Sequence, residues 1–142
     1  MPEQTVKPNI IALVVCDEIY IEPTGKVALV GLFAQILTKK CPFIHPKMAI
    51  YVSVSGLRPG SQGKLEIVHG EAEHTPLVVA EGKFPDDAGP LDVLDMQFIL
   101  NNVAFQTPGK HFIRFWGNQH LIAMRPFHVR EVETNKSQEK EQ

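Results

Sequence analysis

The segment over residues 69–74 brings together side chains that could hold a metal ion, since it reads His-Gly-Glu-Ala-Glu-His. Zinc accepts imidazole and carboxylate ligands, which makes His69, Glu71 and His74 candidate ligands. A helical zinc motif places its two histidines one helical turn apart on one face. His69 and His74 instead lie five positions apart in a segment predicted to be a turn between two strands. The pattern therefore favours a solvated hairpin tip over a zinc site.

Residues 86–95 form an acidic loop of the kind from which calcium sites on β-sandwich rims are assembled. Asp86 and Asp87 precede a Gly-Pro pair, and Asp92 and Asp95 follow it. The loop lacks the alternating Asp spacing of a dedicated calcium loop, and acidic residues also favour turns and discourage aggregation at a sheet edge. We therefore expect no bound calcium, no zinc and no other cofactor.

The candidate nucleophiles are two cysteines and three serines: Cys16, Cys41, Ser53, Ser55 and Ser61. Cys16 lies in the most apolar predicted strand, where a thiol is inert and has a raised pKa. The sequence has no Gly-x-Ser-x-Gly elbow, and Ser61 follows Pro-Gly in a predicted loop with no base beside it. We therefore expect that the protein is not an enzyme.

A third group of residues could form a contact surface. Phe112, Arg114 and Trp116 alternate onto one face of a predicted strand, and Arg125 lies on the strand that returns beside it. An exposed Trp with Arg is a frequent anchor of protein interfaces. In the alternative interpretation, Trp116 packs over the end of the fold and Arg114 pairs with a core carboxylate such as Asp17. Arg114, Trp116 and Arg125 remain the best candidates for a binding surface.

The elements that position these residues are predicted to be strands. Runs rich in Val, Ile, Phe and Tyr recur between Gly and Pro punctuation, and no stretch has a convincing helical period. The pattern predicts an all-β fold, a two-sheet antiparallel β-sandwich that is immunoglobulin-like or similar, with about eight strands. These strands cover residues 9–21, 26–37, 47–55, 63–69, 75–83, 94–105, 110–116 and 119–129.

Turn residues and prolines add three local predictions. Residues 22–25, Glu-Pro-Thr-Gly, predict a hairpin between the first two strands. Residues 38–46 predict a longer crossing from one sheet to the other. Pro126 cannot donate a ladder hydrogen bond, so its position is an edge or a bulge.

Charge and composition define one domain over residues 9–130, with a short N-terminal arm over 1–8 and a disordered polar tail over 131–142. The net charge of −2 comes from the tail, because residues 1–130 hold equal numbers of basic and acidic side chains. A neutral domain does not attract nucleic acid or an anionic membrane.

The first apolar run is too short for a membrane span, so we expect a cytoplasmic protein.

Four segments carry a family resemblance: residues 9–17, Asn-Ile-Ile-Ala-Leu-Val-Val-Cys-Asp; 24–33, Thr-Gly-Lys-Val-Ala-Leu-Val-Gly-Leu-Phe; 108–114, Pro-Gly-Lys-His-Phe-Ile-Arg; and 126–129, Pro-Phe-His-Val. Together they resemble a bacterial family of small β-sandwich proteins classed as a domain of unknown function. The family has no assigned activity, so the resemblance implies a fold and no functional residue.

Two functions are compatible with these observations. The first is a non-catalytic interaction module that binds another protein or itself, through the edge bearing Pro126 or through the face bearing Arg114 and Trp116. The alternative is a small-ligand, calcium or zinc binding domain with a site on rim loops. That alternative requires the acidic loop and the His69–His74 segment to lie at the same end of the sandwich.

Overall fold

The computed structural model describes residues 8–70, 75–87, 89 and 91–133. Within these residues the chain forms nine β-strands and no helix. In chain order the strands are β1 (Asn9–Ile21), β2 (Val27–Leu32), β3 (Gln35–Thr38), β4 (Phe43–Ser55), β5 (Gln62–His69), β6 (Val78–Lys83), β7 (Val93–Phe105), β8 (Gly109–Gly117) and β9 (His120–Glu131). The described part of the chain contains no helix long and apolar enough to cross a membrane.

The strands form two sheets, with neighbour orders β2-β1-β4-β7 and β3-β9-β8-β5-β6. In the immunoglobulin fold one sheet holds strands A, B, E and D, and the other holds C, F and G, with C′ added in variable-type domains. The order β1-β4-β7 corresponds to A-B-E, and the order β6-β5-β8-β9 corresponds to C′-C-F-G. The predicted all-β, two-sheet sandwich is therefore confirmed. One described pairing departs from the antiparallel expectation, because β3 runs parallel to β9.

The prediction of one continuous strand over residues 26–37 is wrong, which raises the count from eight strands to nine. β2 pairs with β1, whereas β3 pairs with β9 in the other sheet, so the chain changes sheets at Phe33 and Ala34. Gly31 has a φ of +75°, a left-handed conformation that interrupts a regular strand. Apolar pattern alone does not encode such a change of sheet.

The hairpin and Pro126 predictions are confirmed, and the change of sheet is present, but the crossing is shorter than the predicted 38–46 because β4 begins at Phe43. The amides of Glu22 and Gly25 bond to Lys26 and Glu22 across the tip of the β1–β2 hairpin. Residues 39–42 carry the chain from β3 in one sheet to β4 in the other. Pro126 lies in a part of β9 that has β8 on one side and no described strand on the other, because β3 pairs with β9 only from His128 onward.

The core lies between the two sheets. It includes a row of β4 residues at two-residue spacing, Met48, Ile50, Val52 and Val54, which all face inward. The last strand extends beyond the predicted domain boundary at residue 130, since β9 ends at Glu131 and the Val132 amide donates to the Thr38 carbonyl. Residues 134–142 of the predicted tail and 1–7 of the predicted arm lie outside the described residues.

Candidate functional site

Glu66 is the centre of a polar cluster on the outward face of the five-stranded sheet. The pairing of β5 with β8 puts Glu66 opposite Arg114 and Lys64 opposite Trp116. Glu66 Oε1 accepts hydrogen bonds from Arg114 Nη2 at 3.0 Å and from Trp116 Nε1 at 2.7 Å. Lys64 Nζ lies 3.8 Å from the other carboxylate oxygen. Two cations and an indole therefore surround one carboxylate.

The carboxylate and the guanidinium of this cluster are largely shielded from water although they lie on an outer face. Glu66 is 7% exposed and Arg114 is 9% exposed. Lys64 Nζ lies 5.3 Å and Arg114 Cζ 5.5 Å from the centre of the Trp116 ring, distances at which a cation and an aromatic ring attract. Arg114 thus pairs with a carboxylate, as one interpretation of the sequence required, but the partner is Glu66 and not Asp17. The sequence did not indicate Glu66 as the partner of Arg114, because only the pairing of β5 with β8 brings the two residues together.

Arg125 does not join this cluster. It lies opposite Ile113, whose side chain belongs to the core, so it faces the other side of the sheet from Arg114. Arg125 Nη1 donates to the Leu13 carbonyl of β1 at 2.6 Å, which ties the two sheets together. The three predicted surface residues therefore do not form one continuous surface.

The histidine segment contributes one described candidate ligand. His69 Nε2 lies 3.1 Å from both Thr107 Oγ1 and the Pro108 carbonyl, and its ring packs on that of His111 at 4.6 Å. Glu71 and His74 lie outside the described residues. Among the residues that are described, no three His, Cys, Asp or Glu side chains come together as a metal site would require.

The acidic loop makes local contacts. Asp86 forms an exposed salt bridge with Lys83 at 3.5 Å, Asp87 is exposed, and Asp92 Oδ2 accepts a 2.7 Å bond from the Gly89 amide across the turn. Asp95 lies in β7, opposite Ser53 of β4. The loop follows β6, whereas His69 ends β5, so His69 and the described part of the loop lie at opposite ends of the paired β5 and β6 strands. The described residue His69 therefore does not lie beside the acidic loop, as the alternative ligand-binding function would require.

Both cysteines are free thiols. Cys16 is fully buried on β1, where burial and, secondarily, the Asp17 carboxylate raise the pKa of its thiol. Partial burial and the charge of Glu131 likewise raise the pKa of Cys41. Cys16 is thus buried, as its apolar strand predicted. A nucleophilic thiol needs a lowered pKa, whereas burial raises the pKa of both cysteines.

The free edge of β7 is the longest that the described strands present. β7 has thirteen residues and pairs with β4 over its whole length, but no described strand pairs with its other side. In a constant-type immunoglobulin sheet this is the position of strand D, beside strand E. The N–H and C=O groups along that side of β7 are therefore free to bond another strand.

Taken together, these features define a two-sheet β-sandwich with immunoglobulin-like strand order. The chain belongs to the family of unknown function DUF6941, whose model matches residues 11–130. No curated protein matches the sequence.

Several solved structures are similar to parts or all of this chain. An alkylpurine DNA glycosylase of Pseudomonas fluorescens, bound to DNA containing an abasic site analogue, matches with a TM-score of 0.51 and 12% identity over 89% of this chain. A β-glucosidase of Erythrobacter marinus matches at 0.47 and 15% over 87%. An immunoglobulin-like protein of Pseudomonas aeruginosa matches at 0.43 and 12% over 90% of this chain and 100% of its own. This chain spans only 31% of the glycosylase and 15% of the glucosidase, and at such identities the likeness concerns the fold alone.

Proposed function

We propose that this protein is a non-catalytic, cytoplasmic interaction module that acts by self-association, with two copies pairing antiparallel through the free edges of β7. The supporting observation is the length of this edge. β7 has thirteen residues, and no described strand lies on the side where strand D lies in an immunoglobulin sheet. The two four-stranded sheets would become one continuous sheet of eight strands. Such pairing needs no special side chains, in keeping with a sequence that carries no catalytic motif and no basic surplus for nucleic acid.

The other three edges are better protected against pairing. β3 has four residues, β6 has six and ends at a lysine, and β2 has six with the left-handed Gly31 near its end. Short length, lysine and bulges are the devices by which natural sheets prevent edge-to-edge association. Residues 93–101 of β7 contain no Pro, Gly or Lys, and Asp95 is their only charge. This edge is therefore the most open to a partner strand.

The same nine residues suit pairing with an identical strand. Gln97 is their midpoint, and a two-fold axis there sets Gln97 opposite Gln97 of the second copy and Asp95 opposite Ile99 of the second copy. The two carboxylates avoid direct opposition, which would be unfavourable. Ile99 is 47% exposed and Val93 is also exposed, so cross-strand contacts would cover apolar surface.

The outward face bearing Arg114 and Trp116 is a weaker candidate for the contact. The guanidinium Nη2 and the indole N–H already donate to Glu66 within the chain. A partner would have to replace these bonds, whereas the backbone groups at the β7 edge have no described protein partner to lose.

Multi-angle light scattering coupled to sizing chromatography tests the proposal on the full chain. We expect a mass twice the 15.9 kDa of one chain. Ile99→Lys should give a folded monomer, because a lysine at a sheet edge opposes pairing. Val79→Lys is the matched control, since Val79 is 51% exposed on the β6 edge strand, and it should remain a dimer. A wild-type monomer at every concentration, or equal behaviour of the two variants, would contradict the proposal.

A further inference from the structure

A cleft of about 440 Å³ lies beside the point where the chain changes sheets between β2 and β3. This volume is within the range of small-molecule sites. Its walls combine apolar side chains, among them Leu32, Phe33 and Phe43, with three polar side chains, Asp17, Gln35 and His45. Apolar surface beside a few polar groups is what a pocket needs to hold and orient a small ligand.

The Asp17 carboxylate extends the core-facing side of β1 into this cleft. Leu13 and Val15 precede it on the same side of the strand and pack in the core, and a strand's side chains alternate between faces. Gly31 of β2 lies beside it, and a Cβ on Gly31 would meet the Asp17 carboxylate. Glycine at position 31 therefore leaves room for the carboxylate. Asp17 forms no salt bridge with any described residue.

His45 reaches the cleft because β4 changes which of its residues face inward. Pro46 lies opposite Asn102, whose φ is +54°, and beyond them His45 and Phe43 pair with the inward residues Val103 and Phe105. The His45 ring packs between Phe33 and Phe43, with centroid distances of 5.9 and 6.0 Å.

The Nε2 atom of His45 is buried and has no hydrogen-bond partner among the described residues. A buried polar atom that lacks a partner destabilises the fold, so a donor supplied from the cleft would be favourable. The cleft therefore offers an anionic acceptor at Asp17 and, within its wall beside aromatic rings, a His45 nitrogen that lacks a described partner.

We propose that this cleft binds a small organic ammonium compound with an apolar body. Its N–H groups would donate to the Asp17 carboxylate and to His45 Nε2, and its apolar part would lie against Leu32, Phe33 and Phe43. An organic anion would be repelled by Asp17, which has no basic side chain paired with it in the described structure. The site is separate from the proposed dimer contact, since no lining residue belongs to β7.

Phenethylammonium is a suitable probe, because it combines a primary ammonium with one aromatic ring. Titration followed by ¹H–¹⁵N NMR of the full chain should give saturable shifts at amides around the cleft. Asp17→Asn preserves the shape of the side chain and removes its charge, and we expect it to weaken binding at least about tenfold. Asp87→Asn, at an exposed position of the acidic loop, is the matched control and should bind as the wild type does.

Two further measurements separate this proposal from general apolar binding. Phenylacetate has a similar ring and the opposite charge, so it should bind more weakly than phenethylammonium. His45→Phe keeps an aromatic ring in the cleft but removes the Nε2 acceptor, and it should weaken binding without lowering the melting temperature. Absence of saturable shifts, equal binding by the wild type and Asp17→Asn, or equal binding of the two probes would overturn the assignment.

Discussion

Glu66 and Arg114, which are 48 residues apart in the sequence, form a 3.0 Å ion pair on the outward face of the five-stranded sheet. Both side chains are largely buried there. Taking two charges out of water is costly, and their attraction offsets that cost only when geometry and further hydrogen bonds are good. The Trp116 indole supplies such a bond to the same oxygen of Glu66. Removing either charge would therefore leave the other one buried without its counter-charge.

Glu66→Gln should lower the free energy of unfolding by about 2–4 kcal/mol, because it leaves the buried Arg114 guanidinium without a counter-charge. Urea denaturation measures this change. Glu81→Gln, at an exposed position of β6, is the control and should change stability by less than about 0.5 kcal/mol.

The double variant Glu66→Leu with Arg114→Met tests whether the loss comes from an unpaired charge. Replacing a buried ion pair by apolar residues is often close to neutral. We therefore expect the double variant to be more stable than either single variant. Additive losses would show that the two side chains act independently.

His111 makes the stability of the fold depend on pH. The ring is fully buried, Nδ1 lies 3.0 Å from the Gly109 carbonyl, and Nε2 has no partner in the described structure. Burial lowers the pKa of His111 below its ordinary value, and the positive charges that His69 and His128 can carry lower it further. The folded state therefore favours the neutral imidazole.

Because the unfolded chain takes up this proton first, stability should fall as pH drops below about 6.5 and level off below the lowered pKa of the folded state. Urea denaturation across this pH range measures the decline. The His111→Gln variant cannot take up this proton. Its free energy of unfolding should therefore decline less than that of the wild type as the pH falls. Parallel curves for the two proteins would refute the role given to His111.

Met96 of β7 packs across the sandwich onto Gly63 and Gly82, which lie opposite each other on β5 and β6. A Cβ on Gly82 would meet the methyl group of Met96. Gly82→Ala should therefore displace the Met96 methyl group, and because that group ends a flexible side chain we expect a loss of about 1 kcal/mol or less. Thermal or urea denaturation measures it.

The shorter side chain of Met96→Val should make room for the added methyl group. Gly82→Ala should then cost less in the Met96→Val background than in the wild type. An equal cost in both backgrounds would mean that the loss arises from the backbone of β6 and not from this contact.

Much of the fold could be predicted because local physics decides it. Turn residues set the β1–β2 hairpin, period-two burial sets the inward row of β4 from Met48 to Val54, and the missing amide hydrogen of Pro126 requires a free edge. Each of these signals acts over a few residues. None depends on which strands pair.

The candidate sites could not be predicted in the same way. The alternation of β4 breaks at Pro46, so Ile44 is exposed and His45 lines the cleft. The left-handed Asn102 of the neighbouring strand lies opposite this break. Glu66 meets Arg114 only because β5 pairs with β8 in one register. Contacts between distant segments depend on register, which local sequence pattern does not encode.

The two cysteines should differ in reactivity towards a thiol reagent such as Ellman's reagent. Cys16 is fully buried and its Sγ donates to the Glu18 carbonyl at 3.4 Å, whereas Cys41 is only partly buried. Both pKa values are raised, which lowers the thiolate fraction at neutral pH. In the native protein we expect slow labelling of Cys41 and none of Cys16 until the chain unfolds.

Glu131 provides a second test, because its carboxylate lies beside Cys41. Its carboxylate accepts a 2.8 Å hydrogen bond from the Cys41 amide, and its charge helps to raise the pKa of the Cys41 thiol. Glu131→Gln should therefore speed the labelling of Cys41 in the native state, while the labelling of Cys16 continues to follow global unfolding in urea. Rapid native labelling of Cys16 would contradict the packing of β1 against β4, because Cys16 lies opposite Ala49 in that pair and neither residue is exposed.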